Sequence, residues 1–445
     1  MLPRSSALRS YCLPSFGMAR LHRGKGSFAR FFIGSPCKKC GTAHQAAREE
    51  QAMITKFDSS YVGSVDLEDA GYLGKPINDR WYSNEELADV MHKTVAYARQ
   101  MDRLGYDTFW MAEHHFQPEG TECIPNLLMM ATHLCGVTRN LKIGCGFNIV
   151  PMWHPLRLAE DYAMADILTG GRVIFGIGRG YHTREVETFG SPLIDQDANR
   201  ELFEEGVDVI YKAFNEERFS HKGKHFTIPP EVPYRGYTLK ELTLVPRPLR
   251  RPVECWQPIQ SGSQRAFDFM ARYGISGVIG GGSAEGGAVD RHMTEFRAAY
   301  QRRGIELKPG ERLALGYQFC IAESREAAMR KAANFYEENM KMFGELRLVR
   351  AITDEQIAAM RDPRLVPNTK LPRIEDAVKA GGFLAGTPAD IIEELKKVEQ
   401  RYPGLERVIC TMPLGTHLGD ALEQLERFAK EVIPAFRPAR AAAAD

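Results

Sequence analysis

Eight short apolar runs recur along the chain, and the segments between them place apolar residues at the spacing of an amphipathic helix. The runs are apolar throughout rather than at every second position, which is typical of parallel strands that are covered on both faces. We predict strands at residues 54–62, 107–113, 141–150, 172–178, 253–260, 275–279, 313–321 and 407–412.

Local capping signals mark the boundaries of the helices between these strands. Ser83 and Glu86 stand three residues apart and predict a capping box, and Gly105 predicts the end of the helix that follows. Pro155 predicts the first turn of another helix, and Thr387 predicts an N-cap. The predicted helices cover residues 84–104, 125–134, 155–168, 201–214, 264–273, 288–303, 325–342, 388–400 and 422–433.

Eight strands that are each followed by a helix predict an α/β fold, a parallel (β/α)8 TIM barrel, with an open doubly wound sheet as the alternative. Residues 215–252, after the fourth strand, and 343–382, after the seventh, are predicted as insertions. The active site of such a barrel lies at the carboxyl ends of its strands. Four polar residues fall at these ends and are candidates for one site: His114, Asn148, Arg179 and Ser263.

The overall composition is that of a soluble globular protein. The 445 residues are 44% hydrophobic and 26% charged, with a formal net charge of +1. A charge so close to zero argues against a nucleic acid or a membrane surface as partner, and no apolar run is long enough to span a bilayer. Nine scattered cysteines are typical of a reducing cytoplasm. Cys37 and Cys40, with His44 nearby, lack the further ligands of a zinc site, so we expect no metal.

The two ends of the chain differ from its middle. Residues 1–48 hold nine lysines and arginines and no acidic residue, as in a transit peptide or a non-native extension. We therefore predict a disordered or transit-like extension at residues 1–52, the barrel at 53–435 and a flexible tail at 436–445.

Two adjacent histidines follow the second predicted strand, in the run Glu113-His114-His115-Phe116. Neighbouring side chains of a strand point to opposite faces, so these two imidazoles are not expected to bind one metal ion. One of them can face the site and transfer protons near neutral pH. The alternative is that both are structural and bond to loop carbonyls.

A glycine-rich run, Gly176-Ile177-Gly178-Arg179-Gly180, ends the fourth predicted strand. Its glycines permit close approach of a flat ligand, and Arg179 can form two bonds to a phosphate. The alternative is a tight turn with a solvated arginine. Gly262 and Ser263 precede a helix whose free amide groups suit an anion, although Ser263 can equally be a simple N-cap.

Four ordered segments resemble the bacterial luciferase-like flavin-dependent monooxygenases, in particular the luciferase α subunit. The resemblance extends over about residues 53–435 as an order of elements, and it implies a (β/α)8 barrel that binds FMN. The four segments are residues 113–116, the run His154-Pro155-Leu156-Arg157-Leu158-Ala159-Glu160-Asp161, the turn Thr169-Gly170-Gly171-Arg172, and residues 175–180.

The resemblance also implies roles for single residues. His114 matches the family's catalytic histidine, and Glu185 matches an acidic residue near it. Arg179 and Ser263 match contacts to the FMN phosphate. The Gly146–Phe147 bond matches a non-proline cis peptide that lies against the flavin ring. The implied cofactor-binding set is Gly146, Phe147, Asn148, Arg179, Gly180, Tyr181, Gly262 and Ser263.

The sequence departs from the family in the expected pocket wall. Gly178 stands where luciferase has a reactive cysteine, and Phe147 and Asn148 stand where the family has small residues. These changes argue against a long-chain aldehyde as substrate and against light emission. Residues 343–382 fall where the family carries a mobile loop after the seventh strand, and we expect a lid there.

These features lead to the hypothesis of a two-component monooxygenase. A separate reductase supplies reduced FMN, O2 adds to form a flavin C4a-hydroperoxide, and a small organic substrate is oxygenated. The resemblance favours a homodimer, and the cysteines favour the cytoplasm. Two alternatives stay open: a deazaflavin-dependent oxidoreductase of the same superfamily, and a non-catalytic flavin-binding subunit. The sequence does not indicate which substrate is used.

Overall fold

The computed structural model describes residues 54–260, 262–280, 282–349 and 352–437. Eight parallel strands pair in chain order, and the eighth also pairs with the first, so the sheet closes into a barrel. The predicted TIM barrel is confirmed. The doubly wound alternative is wrong because such a sheet keeps two unpaired edges. The eight barrel strands are Lys56–Ser60, Thr108–Met111, Lys142–Cys145, Val173–Gly178, Cys255–Pro258, Ser276–Ile279, Leu313–Ile321 and Arg407–Thr411.

Helices surround the barrel and begin largely where the capping signals predict. Ser83 and Glu86 form the predicted capping box, and Gly105 ends the first helix in a left-handed conformation. Thr387 caps its helix with its side chain, as predicted. The α-helices are α1 (Asn84–Leu104), α2 (Leu127–Val137), α3 (Pro155–Leu168), α4 (Thr183–Thr188), α5 (Gln196–Asn215), α6 (Gln264–Tyr273), α7 (Ala288–Gln301), α8 (Arg325–Glu345), α9 (Asp354–Arg361), α10 (Ile374–Lys379), α11 (Pro388–Arg401) and α12 (Leu418–Arg427).

The two longest connections follow the fourth and the seventh barrel strands. The first contains two small hairpins, His221–Lys222 with Thr227–Ile228 and Val232–Tyr234 with Tyr237–Leu239. The second contains α9 and α10, and Phe383–Gly386 then pairs with the seventh barrel strand. Whether these connections are insertions relative to the family stays a prediction.

The segment expected to form a mobile lid is built partly of helices. Ala359 and Met360 on α9 are buried in a small cluster with Tyr72, Val366 and Leu371. This cluster forms because the segment carries apolar residues at helical spacing. In the sequence, the many charged residues and prolines of the segment obscure that spacing. Movement of the segment therefore stays a prediction, and it would have to break this packing.

The described carboxyl end is part of the barrel body. Phe436 is buried against Phe57, with 5.5 Å between ring centroids, and Arg437 forms an ion pair with Asp107. The flexible tail predicted from residue 436 therefore begins too early. The predicted extension at residues 1–52, with Cys37, Cys40 and His44, lies outside the described residues, as do residues 438–445. No helix in the described part of the chain is long and apolar enough to cross a membrane.

Glycine is required where the third and fourth barrel strands approach each other below the site. A Cβ atom at Gly176 would lie 1.7 Å from the carbonyl oxygen of Cys145, and one at Gly144 would lie 2.2 Å from the Trp110 ring. Trp110 belongs to the interior layer of the barrel, against which Phe147 packs. The glycines that were predicted to let a ligand approach the backbone therefore also let the barrel strands and the Trp110 indole pack closely.

We expect the substitution Gly176→Ala to destabilise the protein by about 1–3 kcal/mol or more, because the new methyl group meets backbone that cannot rotate away. Gly419→Ala is the matched control, since a Cβ there meets nothing within 4 Å. Thermal unfolding of both variants checks the prediction. Equal midpoints for the two would contradict the packing described.

Candidate active site

A cavity of about 660 Å³ opens at the carboxyl ends of the barrel strands. The wall comes from segments that follow the first five barrel strands, together with the end of α8 and the residues after it. It therefore lies where the barrel fold places active sites. Six of the residues predicted for the site line this cavity: His114, Gly146, Phe147, Arg179, Gly180 and Tyr181.

Four other predicted residues lie behind or beside the wall. Asn148 is fully buried, and its side chain donates to the Gly176 carbonyl at 2.8 Å, so it holds the strands together instead of facing the cavity. Glu185 contacts His114 from behind. Gly262 and Ser263 precede α6, and the Ser263 Oγ is buried without a hydrogen-bond partner among the described residues.

His114 is buried and has acidic partners on both ring nitrogens. Its Nδ1 lies 3.2 Å from Glu185 Oε1, and its Nε2 lies 3.1 Å from Glu122 Oε1 and 2.9 Å from Tyr181 Oη. Tyr181 in turn donates to Glu122 Oε1 at 2.8 Å. His182 Nε2 lies 2.9 Å from the other oxygen of Glu122. The cluster therefore alternates imidazole and carboxylate groups.

These contacts determine the protonation of His114. Burial alone lowers the pKa of an imidazole, but Glu122 and Glu185 outweigh it and raise the pKa of His114 to about 10. The effect on the carboxylate is reciprocal. Burial raises the pKa of Glu122, yet His114 and His182 lower it to about 2. At neutral pH the geometry thus favours an imidazolium between carboxylates.

We expect His114 to remain an imidazolium well above the pH at which an ordinary histidine loses its proton. Because its pKa is raised on folding, the stability it contributes is complete below about pH 6.5 and is lost as pH rises through about 10. Titration by NMR of protein with labelled histidine checks this, the signal being assigned by its loss in His114→Gln. A midpoint near 6.5 would contradict the ion pairs.

Glu113 anchors the loop that carries the cis peptide. The Gly146–Phe147 bond is cis, as the resemblance implied. The Glu113 carboxylate accepts from the Ile149 amide at 2.7 Å and from Trp153 Nε1 at 2.8 Å, and it contacts His115 at 3.2 Å. His115 thus faces a different carboxylate from His114, although both histidines lie in the loop after the second barrel strand and not on the strand itself.

A cationic end of the cavity is formed by Arg179 and Arg200. Arg179 donates from Nε to Asn199 at 2.8 Å and from Nη2 to the Gln196 carbonyl at 2.9 Å. Neither arginine has an ion-pair partner among the residues that the structure describes. Burial, together with repulsion from Arg200 and Arg265, lowers the pKa of Arg179 to about 10. Arg179 stays charged at neutral pH, and an anion here would relieve that repulsion.

Several residues of the cluster and of the cationic end lie outside the predicted set. Glu122 lies in the loop between the second barrel strand and α2, and His182 directly follows Tyr181. Neither residue belongs to a recognisable motif. Gln196 and Arg200 were missed because α5 was predicted to begin at residue 201. Asp195, which caps the helix through the amides of residues 197 and 198, is the signal that would have corrected this start.

His114, Glu122 and His182 also bring potential metal-ligand atoms within 4.8 Å of one another. In the structure these atoms already bond to each other or to Tyr181. A hydrogen-bonded network therefore explains their arrangement without an ion.

The comparisons with known proteins agree with this geometry. The family model described as luciferase-like monooxygenase matches residues 71–403. A flavin-dependent trigonelline monooxygenase, oxygenase component, from Acinetobacter baylyi is 25% identical over 75% of this chain and 87% of its own. Several other curated relatives are matched over only 40–41% of their own length. Among them is the alkanal monooxygenase alpha chain of the Kryptophanaron alfredi symbiont, 31% identical over 34% of this chain.

Solved structures share the barrel. The oxygenating constituent of 3,6-diketocamphane monooxygenase from Pseudomonas putida, in complex with FMN, has a TM-score of 0.62 at 18% identity, over 87% of this chain and 100% of its own. An F420-dependent secondary alcohol dehydrogenase has a TM-score of 0.57 at 14% identity, over 86% and 100%. At these identities the likeness shows the fold alone. Because the family model covers most of the chain, this protein belongs to the luciferase-like monooxygenase family.

Proposed function

We propose that this protein is the oxygenase component of an FMN-dependent two-component monooxygenase. The observation that carries the proposal is one cavity whose wall holds two arginines, which have no ion-pair partner among the described residues, and also the His114–Tyr181 cluster. The phosphate of a flavin mononucleotide needs a cationic environment such as the arginines provide. The reacting ring needs an environment such as the His114–Tyr181 cluster. The oxygenase-component relative supports a separate reductase as the source of reduced FMN.

The cationic end fits the FMN phosphate. Arg179 Nη1 has no partner among the described residues, and Arg200 lines the same wall. The buried, unpaired Ser263 hydroxyl stands at the start of α6, where free amides and the helix dipole favour an anion. These residues would hold the phosphate and so fix the position of the ring.

The middle of the cavity fits a flat ring. Gly146, Phe147, Gly178 and Gly180 line it. A Cβ at Gly178 would lie only 3.2 Å from the Phe147 side chain, so glycine lets Phe147 pack closely against the strand at this point. When bound, reduced FMN would supply the electrons with which O2 is activated, and the protein's part is to orient it and to exclude water.

His114 supplies the charge beside the ring. An imidazolium held by two carboxylates stabilises negative charge that develops on oxygen nearby and is a source of protons. Val62, Phe343, Leu348 and Val349 form an apolar part of the same wall and would keep water out. These residues favour a small, largely apolar organic substrate.

The leading rival is a deazaflavin-dependent oxidoreductase, which moves hydride and needs no oxygen. The F420-dependent structure with the same fold keeps this rival open. A non-catalytic flavin-binding subunit is disfavoured, because such a subunit has no need for a buried imidazolium at the cavity wall.

Anaerobic equilibrium dialysis against reduced FMN, reduced FAD and reduced F420 tests the proposal. We expect reduced FMN to bind most tightly and the loaded protein to consume O2 when air is admitted. Preference for F420, with no oxygen consumption, would replace the proposal by its rival.

We further propose a homodimer through α2 and α3. These helices pack side by side, and they expose Met129, Met164, Ile167 and Leu168, which are 39–73% accessible. An apolar stripe of this kind marks a protein interface.

We expect Met164→Glu with Leu168→Glu to give a monomer in light scattering, whereas Leu365→Glu, on another surface, should not. A dimer that survives the double substitution would place the interface elsewhere.

A further inference from the structure

The hydroxyl of Tyr181 occupies a junction between the cavity and the buried charges. It lies 2.9 Å from His114 Nε2 and donates to Glu122 Oε1 at 2.8 Å, and Tyr181 itself lines the cavity. The Tyr181 and His114 rings are 5.2 Å apart between centroids. Imidazole nitrogen, phenol oxygen and carboxylate oxygen thus form a compact triangle.

Both nitrogens of His114 are already engaged by the protein. Nδ1 faces Glu185, whose position is fixed by Gln117 at 2.7 Å, and Nε2 faces Glu122 and Tyr181. The His114 ring lines the cavity, but its N–H groups point to these acceptors. A proton that leaves His114 Nε2 can enter the Tyr181 hydroxyl while the phenol's own proton passes to the cavity, so Tyr181 is the single relay between that N–H and the cavity.

We propose that Tyr181, rather than His114, hands the proton to the reacting oxygen in the cavity, and that His114, Glu122 and His182 resupply it. The proposal rests on the proposed flavin-dependent oxygenation. Tyr181 is then a catalytic residue, while Glu122 and His182 are positioning residues.

The transfer balances once the Tyr181 O–H, which donates to Glu122 Oε1 in the structure, rotates about its C–O bond toward the cavity. The Tyr181 O–H bond breaks as a new O–H bond forms on an oxygen anion in the cavity. His114 Nε2 releases its proton to the Tyr181 oxygen, so the phenol is restored. His114 becomes neutral and keeps its Nδ1 proton on Glu185. A proton from solvent then returns to His114 by way of His182 and Glu122. His182 is the entry point, and 8% of its surface is exposed.

The surrounding groups hold this path in place. Burial raises the pKa of Tyr181 well above its usual value, so it is a neutral donor throughout the working range. The His182 carbonyl accepts from the amides of Glu185 and Val186, which ties the relay to the start of α4. The described titratable groups that face His114 are Glu122, Glu185, Tyr181 and His182. Arg184 lies outside the cluster and is paired with Glu119.

The test compares wild type, Tyr181→Phe, His114→Gln and Glu122→Gln, with Tyr234→Phe as control because Tyr234 is exposed on a hairpin away from the site. The probe is reduced FMN mixed with O2, followed by flavin absorbance between pH 6 and 10.5 in H2O and D2O. Flavin affinity and thermal midpoint are measured alongside.

We expect Tyr181→Phe to bind reduced FMN within about 3-fold of wild type, but to slow the proton-dependent step by roughly 100-fold or more and to lose its solvent isotope effect. Glu122→Gln, which keeps the phenol, should move the basic limb of the pH profile to lower pH, because an anion that favours the imidazolium is removed.

Other outcomes overturn the proposal in different ways. A Tyr181→Phe rate within 3-fold of wild type, with His114→Gln inactive, would make His114 the direct donor. Loss of activity in EDTA with recovery in Zn²⁺ would make the cluster a metal site. A wild-type protein that does not change the reaction of reduced FMN with O2 would contradict the proposed function, and with it this role.

Discussion

Replacing Arg179 by alanine is expected to weaken FMN binding by about 100-fold or more and to leave the fold intact. A hydrogen bond to a charged group contributes about 1.5–3 kcal/mol, and a phosphate can take two from this guanidinium. About 1.4 kcal/mol corresponds to tenfold in affinity. The loss should be large because Asn199 and Gln196 already hold the guanidinium in place, so little ordering is needed on binding.

Riboflavin provides the control for this prediction, since it has the same ring without the phosphate. Wild type should prefer FMN to riboflavin, and Arg179→Ala should lose that preference while its affinity for riboflavin stays close to wild type. Arg218→Ala, an exposed arginine paired with Glu241, serves as the matched variant. Unchanged FMN affinity, measured by calorimetry, would remove Arg179 from the phosphate site.

Replacing His114 by alanine is expected to abolish most oxygenation, by roughly 10²–10⁴-fold, while FMN still binds. The imidazolium is the only cation paired with Glu185 in the described structure and one of two histidines on Glu122. Its removal therefore takes away both a proton source and the charge that offsets two buried carboxylates.

The same substitution should also reduce stability, because a buried charge that loses its partner costs about 3–5 kcal/mol. His114→Gln combined with Glu122→Gln separates the two effects, since it removes one of the two buried carboxylates together with the cation, while Glu185 keeps its hydrogen bond from Gln117. We expect the double variant to regain much of the thermal stability but not the activity. Turnover at the wild-type rate in either variant would exclude a catalytic role for His114.

Most of the fold could be predicted from local signals. The apolar runs specify strands without reference to distant residues. In the same way, Ser83 with Glu86 specifies a cap, Pro155 a helix start and Gly105 a helix end. The strand and helix order favoured a closed barrel but was also compatible with an open doubly wound sheet, which the pairing of the eighth strand with the first excludes. The helices between residues 352 and 380 were not predicted, because their apolar residues are diluted among charges and prolines.

The site was only partly predictable, because its chemistry depends on pairs that are distant in sequence. His114 and Arg179 could be found, since each ends a strand in a distinctive run. Glu122 could not, because its meaning comes from contact with Tyr181, which lies 59 residues away. Asn148 was assigned to the cofactor because it follows a strand, whereas the structure directs its side chain to the Gly176 carbonyl.

The most direct test of the central claim is a stopped-flow experiment in which protein saturated with reduced FMN is mixed with oxygenated buffer. A C4a-hydroperoxide that persists longer than in free solution is the predicted result, because the cavity orients the ring and limits access of water. Oxidation at the rate of free reduced FMN, with the flavin shown by titration to be bound, would contradict the account.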